Sequence, residues 1–191
     1  MAPSAKALRK VLTQPLDYLH TERFSVPLLL NTDEARRQLN ALIVQGMGWG
    51  GDREAESTEL CAWSRYWLHN WQHLPRVASL MGCQLHRSDL ARAGAMLRLD
   101  PVHRAFIRAD LGRCVDTPQP DGASVMQWVQ ATGLNALQAW DCIIPQALMQ
   151  RLPLQFSPQV VAWQRAMPRL PMETTLFCLA VQHAQLHQDT L

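Results

Sequence analysis

Residues 60–97 read LCAWSRYWLHNWQHLPRVASLMGCQLHRSDLARAGAML. Within them Leu60, Trp63, Trp67, Trp71 and Leu74 recur every three or four residues, the spacing that lines up one face of an α-helix. Pro75 suits the first position of a following helix, where its missing N–H costs no hydrogen bond, and Gly82 reads as that helix's stop. Ser88 then has the chemistry of an N-cap for DLARAGAMLRL. Three helical signals in under forty residues, without the β-branched alternation of a half-buried strand, point to an all-α protein.

The pattern extends in both directions. Upstream, Asn31 as N-cap with Glu34 at the third position places Ala35, Leu39, Leu42 and Ile43 on one face, and the run GMGWGG at 46–51 ends that helix. The acidic stretch DREAESTE at 52–59 lies where carboxylates favour the start of the tryptophan-bearing helix. Downstream, Asp100 and Pro101 repeat the start signal, with Val102, Ala105, Phe106 and Ala109 facing inward before Gly112. The segment CVDTPQPDG at 114–122 has two prolines and no periodicity, and reads as the main linker between a front and a back helical layer. Shorter helices follow, punctuated by Gly133, Pro145, Pro153, Pro158, Pro168 and Pro171, and the last buries Leu176, Leu179 and Ala180. The expectation is a compact multi-helix globular domain over 15–191, without a β-sheet, behind a flexible segment over 1–14.

Charge excludes some functions. Eighteen Lys and Arg oppose sixteen Asp and Glu, a formal charge of +2, so bulk charge nominates no nucleic acid. Sixteen of the cations are Arg, the residue type that suits ion pairs and protein interfaces. Cys61, Cys83, Cys114, Cys142 and Cys178 are odd in number and form no CxxC pair, which suggests small buried hydrophobes in a reducing compartment. The N-terminus lacks the apolar core of a secretory signal, and no run approaches the roughly 18 apolar residues of a membrane span. A cytoplasmic location is expected.

The constellations that could carry chemistry are weak. His69 and His73 share the i, i+4 spacing of a helical metal pair, but Asn70 follows where HExxH has its glutamate, and no third ligand is near in sequence. Cys83 and His86 form an isolated CxxH. No GxSxG, phosphate loop or paired carboxylate is present, so neither an enzyme nor a metal or other cofactor is expected. The rival reading is a helix-turn-helix DNA-binding regulator across residues 76–97. From 74 to 113, seven Arg stand against three acids, yet the second helix is rich in alanine and glycine and short of side chains that read bases. Trp63, Trp67 and Trp71 are either a core seam flanked by Arg65 and Arg76 or an exposed aromatic edge of the type that dominates interface hot spots.

Three pieces resemble the OrgA/MxiK (SctK) family of bacterial type III secretion systems: PLDYLH at 15–20, WLHNWQHLPRVASLMGCQLHRSDLARAGAML at 67–97, and LFCLAVQHAQ at 176–185. The resemblance covers about residues 15–187 and falls off between about 100 and 131. It implies a helical, non-enzymatic adaptor without cofactor in the sorting platform beneath the needle complex. Such an adaptor would bridge the cytoplasmic domain of the inner-membrane ring protein (SctD; PrgH or MxiG) to the pod protein (SctQ; SpaO type). It would sit at the cytoplasmic face of the inner membrane through its partners, without inserting. Polar-tipped aromatics and arginines then nominate Tyr18, His20, Trp67, Trp71, Arg87 and Arg92 as protein-interaction residues.

Overall fold

The structure is a computed structural model that describes residues 3–49, 60–92, 94–109, 111–112 and 114–187. Among the described residues it is all-α, with α1 (Pro3–Thr13), α2 (Asp33–Gly46), α3 (Ala62–His69), α4 (Leu74–Leu85), α5 (Arg87–Arg92), α6 (Pro101–Arg108), α7 (Val125–Gln138), α8 (Gln146–Arg151), α9 (Pro158–Ala166) and α10 (Thr174–Leu186), and no strand. The acidic stretch 52–59 lies outside the described residues. The chain divides into two units, one from residues 1–71 and 141–158, the other from 72–140 and 159–191.

In the first unit, residues 3–13 correct the expectation of a flexible start. They form α1, because Leu8, Val11 and Leu12 fall on one helical face and are buried, against elements that include α3, α2 and α8. Burying each such side chain contributes roughly 1.5–3 kcal/mol, enough to hold an eleven-residue helix that would be marginal alone. Helix α2 begins one residue later than expected. Thr32, not Asn31, is its N-cap, with the side-chain oxygen accepting from the Ala35 amide at 3.2 Å. Its inward polar residue is Asn40, whose Oδ1 accepts from the Leu16 amide at 2.9 Å, while Leu42 stays exposed. Arg23 reaches across the unit to the Phe156 and Pro153 carbonyls at 2.8 and 3.2 Å. Arg151, fully buried, donates to the Ala147 carbonyl at 2.8 Å and the Leu12 carbonyl at 3.5 Å, and its guanidinium lies 4.2 Å from the Trp49 ring centroid.

The tryptophan-bearing helix is shorter than its periodicity implies. It ends at His69, and Asn70 turns its side chain back to the Tyr66 carbonyl at 2.9 Å, so His69 and His73 do not share one continuous helix.

The second unit is built around α4, buried without interruption from Val77 to Leu85. Gly82 is not its stop, and Gly133 is not a break in α7. Each glycine lies within its helix at a crossing so close that an added Cβ on Gly82 would stand 1.8 Å from the Val129 carbonyl oxygen. One on Gly133 would stand 1.7 Å from that of Ala78. Only hydrogen leaves room there, a packing reason that outweighs glycine's helix cost of about 1 kcal/mol. Helices α10 and α6 also pack on α4. His86 follows α4, fully buried, with Nε2 2.8 Å from Thr132 Oγ1 and its ring 3.9 Å from that of Trp128.

Ser88 is not an N-cap. Helix α5 already starts at Arg87 and is six residues long, and the left-handed Gly94 (φ 62°) separates it from a 3₁₀ turn over Ala95–Arg98. Asp100 does cap α6, accepting from the His103 amide at 2.9 Å, and Val102 and Phe106 are buried, whereas Ala105 and Ala109 are exposed. Residues 114–122 carry no helix but lie inside the second unit, where the Val115 amide donates to the Leu85 carbonyl at 3.0 Å.

Candidate functional site

Most of the nominated interaction residues have internal work. Tyr18 is half-buried, donates its hydroxyl to the Val11 carbonyl at 2.9 Å and meets the Trp71 ring edge-on with centroids 5.5 Å apart. Burial pushes its phenol well above the ordinary value, with the nearby Arg151 charge and hydrogen bond only partly opposing it. His20 is half-buried as well. Its amide donates to the Leu154 carbonyl at 2.9 Å, and its Nδ1 accepts from the Glu22 amide at 3.3 Å. Trp67 and Trp71 are 0% and 3% exposed, so the aromatic-edge reading is corrected: both are core, Trp67 on the inward face of α3 and Trp71 in the 3₁₀ turn over Trp71–His73.

Arg87 and Arg92 lie on α5 in the second unit, while Tyr18, His20, Trp67 and Trp71 lie in the first. The Arg92 side chain is 79% exposed and loosely paired with Asp89 at 3.6 Å, and Arg87 is half-buried. The structure thus joins Tyr18 to Trp71 and leaves Arg92 as the nominated residue most open to solvent. The helix-turn-helix reading loses its frame. Its first helix would be α4, whose residues from Val77 onward have no exposed face, and its recognition helix would be α5, with six residues. The Cys83 thiol of the CxxH pair is buried and pushed up by that burial, and among the described residues no group of three or more His, Cys, Asp or Glu converges as a metal site would.

The exposed feature that the periodic patterns missed is the segment FSVPLLLN at 24–31. Pro27 leads into a 3₁₀ turn over Leu28–Leu30, closed by the Leu30 amide on the Pro27 carbonyl at 2.8 Å and the Asn31 amide on the Leu28 carbonyl at 3.2 Å. Leu28 and Leu29 are 92% and 93% exposed, and Leu30 and Phe24 are exposed beside them in sequence. The turn's base is fixed by Arg36, which bonds both Asn31 at 3.2 Å and Asp17 at 3.1 Å. A run of large apolar side chains held out on an ordered turn, flanked by the polar Ser25, Asn31 and Thr32, has the makings of a protein-binding surface. Covering Leu28 and Leu29 would contribute roughly 3–6 kcal/mol before the costs of association. A signal was available in the sequence: an apolar triplet bounded by Pro27 and the Asn31-Thr32-Asp33 cap cluster sits in a loop, where it has no helix or strand to turn it inward.

The model of the family described as bacterial type III secretion apparatus protein (OrgA_MxiK) matches residues 8–186. The chain belongs to the OrgA/MxiK family. It is 30% identical over 187 residues to the oxygen-regulated invasion protein OrgA of Salmonella typhimurium, in strains 14028s, SL1344 and LT2 alike, covering 96% of this chain and 89% of the relative. No solved structure matches it. The match runs from the second half of α1 through the leucine turn to the end of α10, so both units belong to what the family shares. Among the described residues no helix is long and apolar enough to cross a membrane.

Proposed function

We propose that this OrgA/MxiK member is a cytoplasmic adaptor of the type III secretion sorting platform, bridging the inner-membrane ring protein (SctD, PrgH or MxiG) to the pod protein (SctQ or SpaO). The observation that carries the reading is the exposed leucine turn at 28–30, set in a chain that matches a secretion-apparatus family along most of its length. A bridge needs surfaces for two partners. Each unit has its own exposed apolar residues, Leu28 and Leu29 in the first and Leu97 and Leu186 in the second. Interfaces of this modest apolar content suit an assembly whose parts exchange. The role asks for recognition and rigidity and requires no catalysis.

The test is size-exclusion co-elution with the pod protein and with the cytoplasmic domain of the ring protein, each alone and then together. The expected result is a ternary complex, and Leu28→Ser plus Leu29→Ser should abolish binding to one of the two partners while the variant stays folded. Failure of both intact partners to bind the folded wild-type chain would sink the adaptor reading.

A further inference from the structure

Ser79 on α4 and Asp100 and His103 at the start of α6 form a hydrogen-bonded chain. Ser79 Oγ lies 2.7 Å from His103 Nε2, and His103 Nδ1 lies 2.6 Å from Asp100 Oδ2. With the carboxylate on Nδ1, that nitrogen keeps the proton and the Nε2 lone pair faces the serine hydroxyl, the relation of nucleophile, base and orienting acid found on unrelated folds. Asp100 remains ionised at neutral pH. Burial alone would raise its carboxyl, but hydrogen bonds from the His103 amide, the His103 ring and the Val102 amide outweigh that and hold it below its ordinary value. The serine proton has a second acceptor, the Arg76 carbonyl at 2.8 Å, so Ser79 can turn between a resting bond within α4 and the imidazole.

A cavity of about 410 Å³ opens on this chain. Ser79, Asp100 and His103 line it together with Met126, Arg76 and Gln130. Ser79 and His103 are only 3% and 6% exposed, and both border that space. Arg76 and Gln130 carry donors of the kind a developing acyl oxygen needs. The interior amides of α4 are taken up by the helix itself and leave no backbone oxyanion hole.

We propose that Ser79 is a base-activated nucleophile that accepts one acyl group from a small activated ester or thioester and keeps it, a modification site in the second unit. Ser79 Oγ bonds to the carbonyl carbon, the bond from that carbon to the leaving oxygen or sulfur breaks, and the serine proton passes through His103 Nε2 to the departing alkoxide or thiolate. The products are the Ser79 ester and a free alcohol or thiol. The expected stoichiometry is one acyl group per chain without turnover. The proposal does not depend on the adaptor reading.

The full-length chain is incubated with p-nitrophenyl acetate, and acylation is followed by intact mass and located by peptide mapping. The expected result is a gain of one acetyl group at Ser79. His103→Gln should slow the reaction roughly 100-fold. Asp100→Asn retains an equally good helix cap but loses the orienting charge, so it should slow acylation while leaving the helical circular dichroism unchanged. A polar tie between α4 and α6 with no chemical role predicts the opposite: no acetyl group at Ser79 in the wild type, or the same Ser79 rate with and without His103. Either result overturns the proposal.

Discussion

The two units are held together in different ways. The second is a helix-on-helix core in which α4 and α7 approach until only glycine fits, at Gly82 and Gly133, with the buried His86 bonded to Thr132 beside that crossing. The first relies on polar side chains bonded to backbone groups: Arg23 to the Phe156 and Pro153 carbonyls, Arg151 to the Ala147 and Leu12 carbonyls, and Asn40 accepting from the Leu16 amide. Close packing is intolerant of added atoms and indifferent to charge. A network of side-chain clamps is sensitive to single polar groups, and it leaves the leucine turn outside its core.

The largest expected effect falls on the close crossing. Gly82→Ala and Gly133→Ala each drive a methyl into backbone, which cannot move aside as a flexible side chain would, so a loss of about 3 kcal/mol or outright failure to fold is expected in urea unfolding. A loss below about 1 kcal/mol would show that the helices can slide apart and would weaken the contrast. Next is pH. Burial, opposed by Asp89, lowers the His86 imidazole from 6.5 to about 4. The unfolded chain therefore takes up a proton first as pH falls. Stability from this group is complete above about 6.5 and is lost down to about 4, by roughly 3 kcal/mol, and His86→Gln should flatten that slope in unfolding curves.

In the first unit, Arg151→Met keeps most of the apolar stem but removes two bonds to carbonyls and the contact with Trp49. An expected loss of about 2 kcal/mol would confirm that polar reach holds this unit, and an unchanged midpoint would dissolve the distinction. The smallest effect on stability belongs to Leu28→Ser with Leu29→Ser. Both side chains lie almost wholly in solvent, so unfolding should shift by about 0.5 kcal/mol or less, and a larger loss would place the leucines in the fold rather than on its surface.

Local chemistry is legible in the sequence where it acts over a few residues. The Asp100 and Pro101 start signal, the inward Val102 and Phe106, and the buried Leu176 and Ala180 of the last helix stand in the structure, while Leu179 there is half-buried. The larger differences between sequence and structure depend on partners distant along the chain. Gly82 has the look of a stop, since nothing nearby reveals that Val129 will lie against it. Trp67 and Trp71 are equally suited to a core or an interface, and only neighbours from elsewhere in the chain decide between them. The interaction candidates are the least legible, because Tyr18 and His20 look free in sequence and turn out to be bonded to Val11 and Leu154.

The sequence by itself determined the all-α class, several helix starts, the absence of a long apolar run and membership of the OrgA/MxiK family. Helix periodicity and caps are interactions between residues a few positions apart, and the chain spells them out. Tertiary structure alone decided which glycines are contacts, which tryptophans are buried, that Leu28 and Leu29 face solvent, and that Ser79 on one helix meets the His103 and Asp100 pair on another. Those outcomes depend on burial and on pairings between distant segments, and neither exists until the chain has folded.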